Sequence, residues 1–466
     1  MLKRSVAIIG GGFSGVSTAI RLHACARFPV AIRLVDSGVD CGPGLAYSNK
    51  DSHLIMNGMA GRLSAFDETP DHFVDWLRHN VEELSRKPLC ELRSHYALRQ
   101  RYGDYLRGLL GSAGLPSPFG ATIEVTRDKV TEIRLREGGD YIVRLEHCSD
   151  LVVDGVVLAH GHLTPRKVCA DSWAECMEDP WNVEALQDLS RDARLLILGT
   201  GQTMMEVGVL LGRLQHRGQI YAISRRGLIA QPHAEKETQY ALNLEELPHD
   251  LNGLVRYIRR TAREWVNGGG DWRAVVNALR PYTQKLWMRL SLKEKQRFLE
   301  HVAPYWRIHR TRVPPETSNA VQALVSSGRL QYFAGRILSI ERRRGALDVV
   351  LCPRGARRTR ILEVDRLINC SGPSYDYRNA ESPLMTQLLG SGIIACHPVG
   401  VGLNVAPNGA IINSSGETSE TMFAVGPPCK GTLFEITVIR EIRRQAREVA
   451  GDLAAALLLA QCKRYH

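Results

Sequence analysis

Two glycine clusters carry the most recognisable chemistry in this sequence. The first, Gly10-Gly-Gly12-Phe13-Ser14-Gly15, follows a short apolar run and precedes small and apolar residues at helical spacing. Glycine at these positions permits a tight turn, a close approach of the backbone to a diphosphate, and close packing of helix on strand. The free N–H groups and the dipole of that helix would face the phosphates. The cluster therefore predicts a dinucleotide-binding turn.

An acidic residue stands where the next strand is expected to end. Asp36, followed by Ser37, closes the run VAIRLVDSG. A carboxylate at this position accepts hydrogen bonds from ribose hydroxyls. A glycine motif alone is weak evidence, but the strand, the helix and the spaced acid together make a merely structural turn a poor explanation. We expect this first βαβ unit to bind FAD.

The second cluster, Gly199-Thr-Gly201-Gln202-Thr203-Met204, also follows an apolar run and opens a helical pattern. It has the first two glycines of the motif, but Met204 replaces the third. The helix is therefore expected to pack slightly farther out or to bulge. This motif is weaker by itself than the first.

The strand after the second cluster ends in Ser224-Arg225-Arg226, where the first unit has Asp36. A carboxylate favours a free ribose 2′-hydroxyl, whereas an arginine pairs a 2′-phosphate with its planar fork. The alternative is a solvated charge pair at a strand end. Opposite charges at equivalent positions predict one cofactor of each type, FAD in the first unit and NADPH in the second.

Composition limits the class of protein without naming a function. The chain has 466 residues, 44% of them hydrophobic and 23% charged, which suits two or three globular domains. The net charge of +11 is spread along the chain without a nucleic-acid module, and anionic cofactors explain it equally well. The 11 cysteines are odd in number and contain no CxxC pair, so we expect reduced thiols, no metal site and a cytoplasmic location. No run is apolar enough to suggest a membrane span.

The order of the predicted elements suggests an insertion. Strand-rich segments over about 121–160 and 329–352 flank the second cluster and a long amphipathic helical region. VVLAHG (156–161) and LINCSG (367–372) each predict an apolar strand that stops at a small glycine-containing turn. A final helix is expected to begin near Leu433. We predict an α/β fold with two Rossmann-like domains: an FAD domain over 1–165 and 362–466, and an inserted NADPH domain over 166–361 that includes a helical insertion at about 234–325.

With these residues in place, the chain resembles the flavoproteins that bind two dinucleotides. More narrowly, it resembles the bacterial FAD-NAD(P)-binding family, which is similar to N-hydroxylating flavin monooxygenases. Besides the second glycine cluster and SRRGL, the resemblance is carried by GPGLAYS (42–48), HLIMNGMAGRLSAF (53–66), RQRYGDYL (99–106), LRPYTQKLW (279–287), WRIHRTR (306–312) and GTLFEITVIREIRRQA (431–446).

The resemblance implies where FAD would be held. It places Asn57 and the segment with Arg99 and Tyr102 near the flavin, and it adds cofactor contacts from Gly426, Thr432 and Leu433. Many related flavoproteins have an aspartate after the glycine of the AVGPP segment (424–428), and this sequence has a proline. Contacts with the ribityl chain would then come from backbone groups.

The resemblance also implies an activity. NADPH would reduce FAD, O₂ would give a flavin hydroperoxide, and the nitrogen of a small amine or amino acid would be hydroxylated. Asp365 and Gly372 match a family stretch, but Asn369, Cys370 and Ser371 depart from it. A Baeyer–Villiger motif is absent from the sequence. An FAD-dependent NADPH reductase or dehydrogenase without oxygenation, and a non-catalytic NADPH-sensing module, remain alternatives, and an oligomer is possible.

Candidates for substrate contact are weaker, and no catalytic residue can be assigned. A basic group with an aromatic neighbour could bind a carboxylate or the phosphates of the nicotinamide nucleotide, although structural packing is an equal explanation. Cys41 and Cys429 lie beside predicted cofactor loops and are expected to be inert packing residues. The substrate candidates are His53, Arg62, His309, Arg310 and Arg312.

Overall fold

In a computed structural model, the chain is described over residues 3–38, 40–48, 54–165, 177–343 and 345–463. It divides into two compact units. The first consists of residues 1–164 and 374–466, and the second of residues 165–373. Each unit contains a sheet with parallel strands and flanking helices, which agrees with the predicted fold class.

The N-terminal part of the first unit contains the first predicted βαβ unit, followed by a group of short helices and a strand-rich region. Its elements are β1 (Arg4–Ile9), α1 (Phe13–Cys25), β2 (Val30–Asp36), α2 (Gly44–Tyr47), α3 (His72–Asn80), α4 (Leu89–Ser94), α5 (Arg99–Ser112), β3 (Thr122–Arg127), β4 (Val130–Leu135), β5 (Tyr141–Leu145), β6 (Leu151–Val153) and β7 (Gly155–Leu158).

The second unit contains the other βαβ unit and the helical insertion, whose helices run from Leu251 to Ser326. Its elements are β8 (Met177–Glu178), α6 (Val183–Gln187), β9 (Leu195–Leu198), α7 (Gln202–Arg213), β10 (Ile220–Ser224), α8 (Leu251–Asn267), α9 (Trp272–Leu279), α10 (Thr283–Arg289), α11 (Leu292–Arg297), α12 (Ala303–Arg310), α13 (Pro315–Ser326), β11 (Leu330–Arg343), β12 (Ala346–Pro353), β13 (Arg360–Val364) and β14 (Arg366–Asn369).

The chain then returns to the first unit through α14 (Pro383–Gly390), β15 (Ala410–Ile412), β16 (Thr418–Ala424) and α15 (Ile439–Lys463). Two expected boundaries differ from the structure. The return was expected at residue 362, but β14 pairs with β9 and so belongs to the second unit. The last helix begins at Ile439 and not near Leu433, because the preceding residues form turns in which Glu435 has a left-handed φ of 71°.

The sheet of each unit reverses its strand order beside the strand that precedes the glycine cluster. The first sheet runs β15-β16-β7-β1-β2-β3, and the second runs β13-β12-β11-β10-β9-β14-β8. Strands β1 and β9 each have parallel neighbours on both sides. The strand order reverses between the adjacent strands β1 and β7 in the first sheet and between β9 and β14 in the second. Ligands of doubly wound sheets bind at this point, beyond the carboxyl ends of the strands. A separate antiparallel sheet, β4-β5-β6, completes the first unit.

The core of the first unit fixes the position of α1. Val16 and Leu22 on one face of α1 are buried with Ala446, Val449 and Leu453 of α15. The two ends of the chain therefore form one core. No helix among the described residues is long and apolar enough to cross a membrane.

Replacement of Gly15 by alanine should destabilise the first unit. A Cβ at Gly15 would overlap the carbonyl oxygen of Gly10, a backbone atom that cannot move without displacing β1. We expect a loss of about 1–3 kcal/mol or more in the free energy of unfolding, measured by urea denaturation without added cofactor. The matched control is Gly111→Ala in α5, where an added Cβ meets no atom within 4 Å. That variant should be as stable as the parent, or up to about 1 kcal/mol more stable. Equal losses in both variants would contradict the close approach.

Candidate cofactor sites

The turn after β1 can be formed only by glycine. Gly10 has a φ of +110°, and its N–H donates to the carbonyl oxygen of Val35 in β2 (2.8 Å). A Cβ at Gly10 would lie 2.5 Å from the carbonyl oxygen of Ala159, the residue that follows β7. The turn therefore lies between β1 and β7, where the strand order reverses.

Open backbone follows this turn at the start of α1. Gly12 is the N-cap residue, and no side chain caps the helix. A Cβ at Gly12 would meet only the Cα atom of Gly44, at 3.6 Å. The N–H groups of the first turn, which belong to Phe13, Ser14 and Gly15, therefore have no side-chain acceptor from the cap and can bind an anion. A diphosphate fits this backbone.

Asp36 lies beside the same turn. Its carboxylate accepts a hydrogen bond from the N–H of Gly11 and another from the N–H of Gly38 (2.6 Å). Ser37 between them is exposed. The side chain is thus held at the end of β2 with further lone pairs available for ribose hydroxyls. The predicted acid and the predicted turn lie together.

The loop after β16 also reaches the start of α1. Gly426 has a φ of +81°, and a Cβ there would overlap Oγ of Ser14. The N–H of Gly426 donates to Oε1 of the buried Gln445 on α15 (2.8 Å). Sequence reasoning missed Gln445, although a glutamine on the apolar face of a helix is a signal in itself. Nearby, Thr432 donates its hydroxyl to the carbonyl oxygen of Val405 (2.9 Å).

The segment expected near the flavin forms an aromatic cluster. Tyr102 is fully buried, and its ring centroid lies 4.8–6.1 Å from those of the surrounding aromatic side chains. Burial raises its pKa, so the phenol stays neutral. One of these rings is that of Phe13, the first residue of α1, so Tyr102 packs against the residue that directly follows Gly12. The other rings are those of Tyr47, Phe73 and Tyr105.

The three remaining predicted contacts of the first unit, Asn57, Arg99 and Leu433, lie in two different regions. Arg99, the first residue of α5, is buried, and its N–H donates to the carbonyl oxygen of Leu54 (2.7 Å). The segment around the half-buried Asn57 and the start of α5 are therefore joined. Leu433 is buried in a hydrophobic cluster that also contains Leu158 of β7 and Cys429.

The second glycine turn repeats the first. Gly199 has a φ of +109°, and its N–H donates to the carbonyl oxygen of Ile223 in β10 (2.7 Å). A Cβ would overlap the carbonyl oxygen of Cys370, which follows β14. This turn also lies where the strand order of its sheet reverses.

Helix α7 begins as α1 does. Gly201 is its N-cap residue, no side chain caps it, and an added Cβ would meet no atom within 4 Å. By contrast, α9 is capped by Asp271. Met204 is fully buried in the core of the unit, and α7 runs without a bulge from Gln202 onwards, with Thr203 half-buried. The start of α7 therefore also fits a diphosphate.

The two arginines after β10 have different environments. Ser224 holds the turn, since its Oγ lies 2.8 Å from Oγ1 of Thr200 and accepts from the N–H of Gly227 (2.9 Å). Arg226 donates to the carbonyl oxygen of Glu300 (2.6 Å). Arg225 is exposed and has no hydrogen bond or ion pair within the described part of the chain. Of the pair, Arg225 is the residue with its guanidinium available for a phosphate.

The substrate candidates do not form one group. His53 lies outside the described residues. Arg62 is exposed in the first unit, whereas the remaining three candidates belong to the second unit. His309 is held by its Nδ1, 2.8 Å from the carbonyl oxygen of Tyr305. Arg310 and Arg312 are both buried. Sequence reasoning missed Trp272, Arg273 and Asn277 of α9, which surround Arg312.

The two cysteines beside the cofactor loops are poor nucleophiles. Burial, reinforced by Asp36 and Asp40, raises the pKa of Cys41 to about 12. Burial also raises the pKa of Cys429 to about 12, against a hydrogen bond from Gln445. Both thiols stay protonated near neutral pH, as expected for packing residues. Among the described residues, no group of histidine, cysteine and acidic side chains could hold a metal ion.

Comparisons with known proteins agree with this geometry. Residues 7–163 match a family model described as FAD-NAD(P)-binding. This confirms the predicted resemblance for the segment that contains the first glycine turn and Asp36. A sequence comparison with curated proteins finds no matching relative.

Solved structures match almost the whole chain. An ornithine N-hydroxylase from Kutzneria sp. 744, in a complex with reduced FAD, NADP⁺ and L-ornithine, has a TM-score of 0.66 at 14% identity and covers 99% of this chain and 100% of its own. The values for L-lysine 6-monooxygenase from Pseudomonas syringae are 0.64, 17%, 98% and 99%. A cadaverine monooxygenase from Erwinia amylovora gives 0.68, 12%, 98% and 95%. At these identities the likeness establishes the fold, which is the one predicted from the sequence.

Alanine at Gly12 or Gly201 should separate the two cofactor sites. Both positions have an ordinary backbone conformation and room for a Cβ, so each variant should fold with nearly the stability of the parent. The added methyl group would occupy the space that a diphosphate needs. Gly12→Ala should lower FAD content and weaken FAD binding by about tenfold or more, whereas Gly201→Ala should do the same to NADP⁺. Flavin absorbance and calorimetric titration measure the two effects, and each variant is the control of the other. Loss of both cofactors in either variant would contradict separate sites.

Replacement of Arg225 by alanine should reduce the preference for the 2′-phosphate. We expect the Kd of NADP⁺ to rise by about 10- to 100-fold and that of NAD⁺ to change little, since a charged hydrogen bond is worth about 1.5–3 kcal/mol. Arg226→Ala is the matched control and should have a smaller effect, because Arg226 is already bound to a carbonyl group. Equal losses for the two dinucleotides in Arg225→Ala would show that Arg225 does not contact a 2′-phosphate.

Proposed function

We propose that this chain is an FAD- and NADPH-dependent monooxygenase that hydroxylates the nitrogen of a small amine or amino acid. The main observation is the pair of glycine turns. Each turn lies where the strand order of its sheet reverses, each is followed by a helix without a side-chain cap, and the residues at the ends of β2 and β10 have opposite charges. One chain therefore offers two dinucleotide sites of different preference. The fold is shared with an ornithine N-hydroxylase, an L-lysine 6-monooxygenase and a cadaverine monooxygenase.

In this proposal FAD is held by the first unit. The N–H groups at the start of α1 bind the diphosphate, Gly12 allows its approach, and Asp36 accepts from the ribose. The loop at Gly426 lies against Ser14 and supplies backbone groups in place of the missing aspartate. When bound, the flavin accepts a hydride from NADPH and activates O₂, which is chemistry of the cofactor itself.

NADPH is held by the second unit. The start of α7 provides N–H groups for its diphosphate, and Arg225 provides a fork for its 2′-phosphate. The hydrogen bond between Ser224 and Thr200 fixes the end of β10 against the glycine turn. The position of Arg225 relative to the start of α7 is thus constrained by the residue before it.

The proposed partners are a small-molecule amine and O₂. The eight cysteines that the structure describes as free thiols suit a reducing compartment, and we place the protein in the cytoplasm on that basis. The residues at the end of β14 depart from the family stretch, and there Ser371 donates its hydroxyl to Oδ1 of Asn369 (2.6 Å). The test therefore includes the two alternative functions as outcomes.

The test is a product assay with the FAD-loaded protein. NADPH oxidation, O₂ uptake, hydrogen peroxide and hydroxylamine products are measured with ornithine, lysine and cadaverine in turn. The proposal predicts a hydroxylated amine in an amount that follows NADPH consumption for at least one substrate. Gly12→Ala, which should contain less FAD and form less product in proportion, is the control for flavin dependence.

The alternatives give different results. NADPH oxidation that produces only peroxide, or that needs an added electron acceptor, would identify a reductase. Binding of NADPH without its oxidation would identify a sensing module. Either result with all three amines, and with a wider panel of primary amines, would overturn the monooxygenase.

A further inference from the structure

A buried arginine in the second unit forms no ion pair with any of the described residues. Arg312 follows α12 and is 3% exposed. Its Nη2 donates to Oδ1 of Asn277, a neutral acceptor (2.5 Å). Its Nε is buried without an acceptor, and no carboxylate forms an ion pair with it in the part of the chain that the structure describes. A buried guanidinium is costly unless a negative charge compensates it.

The charges around Arg312 do not supply that compensation. Burial, and then the positive charges of Arg273 and Arg310, lower the pKa of Arg312 to about 10, while Glu237 and Asp271 act in the opposite direction. Asp271 is already paired with Arg273 at 3.2 Å. Arg312 is still protonated at neutral pH, so the protein maintains a positive charge in a confined place.

The backbone of Arg312 is tied to both parts of the second cofactor site. Its carbonyl oxygen accepts from Nε2 of Gln202, the first residue of α7 (3.1 Å). The next residue, Val313, donates to the carbonyl oxygen of Gln231 (3.0 Å) and accepts from the N–H of His233 (2.9 Å). Gln231 and His233 belong to the segment that follows Arg225 and Arg226. Arg312 is thus anchored between the uncapped start of α7 and the end of β10.

Helix α9 contributes the side chains that contact the guanidinium of Arg312. The guanidinium carbon of Arg312 lies 5.7 Å from the ring centroid of Trp272, and that of Arg273 lies 4.6 Å from it. His309 contacts the same ring edge-on at 4.8 Å. Cationic groups beside an aromatic ring are suited to binding a phosphate or a carboxylate, because the low dielectric constant of a buried site strengthens the attraction between opposite charges.

We propose that Arg312 binds the diphosphate of the dinucleotide in the second unit, a contact supplied by the helical insertion in addition to the glycine turn. The inference rests on the proposed NADPH site and deepens it. The diphosphate is the anion that must lie at the start of α7, where Gln202 holds the backbone of Arg312. A substrate carboxylate offers similar chemistry, and the test distinguishes the two sources.

The experiment measures binding and does not depend on turnover. Arg312→Met keeps the aliphatic part of the side chain and removes the charge. We expect the Kd of NADP⁺ and that of NAD⁺ to rise by the same factor, at least about tenfold, in calorimetric titrations. Arg225→Ala should instead affect NADP⁺ alone. Arg312→Lys, which keeps the charge without the fork, should lie between the parent and the methionine variant.

Two controls separate binding from support of the fold. Asn277→Ala removes the side-chain acceptor that the structure describes for Arg312 and keeps the guanidinium, so this variant should retain most of the dinucleotide affinity. Inorganic pyrophosphate should raise the Tm of the parent protein and not that of Arg312→Met. If Arg312→Met does not fold, Arg312→Lys and Asn277→Ala carry the comparison.

The outcomes that overturn the inference are distinct. Unchanged affinity for both dinucleotides, with a raised Kd for ornithine or lysine, would assign Arg312 to a substrate carboxylate. A lower Tm with unchanged affinity for every ligand would make it a structural link to α9. Dinucleotide binding that weakens as expected in a protein that forms no hydroxylamine would leave this inference standing and remove the proposed function alone.

Discussion

The constraint on which both units depend is the contact between a glycine turn and the carbonyl group that follows the neighbouring strand. At Gly10 the obstacle is the carbonyl of Ala159, and at Gly199 it is that of Cys370. Because glycine has no side chain, the backbone can approach this carbonyl group, turn sharply and start a helix directly beyond the end of the strand. The helix begins without a side-chain cap. Its first N–H groups are left for a ligand, so one steric condition produces the fold at this edge and its capacity to bind anions.

The two turns differ in what surrounds them. Asp36 accepts a hydrogen bond from the backbone N–H of Gly11 in its own turn, and the loop at Gly426 lies against Ser14 at the start of α1. In the second unit, Arg225 is exposed after the end of β10, and Arg312 is buried after α12 in the helical insertion. The scaffold is repeated, and the charges that we propose to select each dinucleotide differ between the two units.

Sequence reasoning succeeded where the signal is local. Strand, glycine and acid follow one another within a short segment, so the turn at Gly10 and the position of Asp36 could be predicted from spacing alone. It could not divide the roles of Arg225 and Arg226, because the carbonyl group that binds Arg226 belongs to a residue far along the chain. The start of α15 was misplaced because a left-handed residue, Glu435, interrupts a helical pattern. The burial of Arg312 depends on α9 packing beside the end of α12, which no periodicity reveals.

Unsatisfied groups distinguish a binding region from a structural one in this chain. Helix α9 is capped by Asp271, and Gln445 satisfies backbone and thiol groups in the loop after β16. Among the described residues, no side chain caps the start of α7, and Nε of Arg312 has no acceptor, although its Nη2 donates to Asn277. Satisfying them within the protein would be simple, since one aspartate at either place would do so, but it would also repel an anionic ligand. Gln202 at the start of α7 donates to the backbone of Arg312, so the uncapped helix and the arginine without an ion-pair partner are linked. An anion that binds to both would offset the cost of leaving them without a negative partner from the protein.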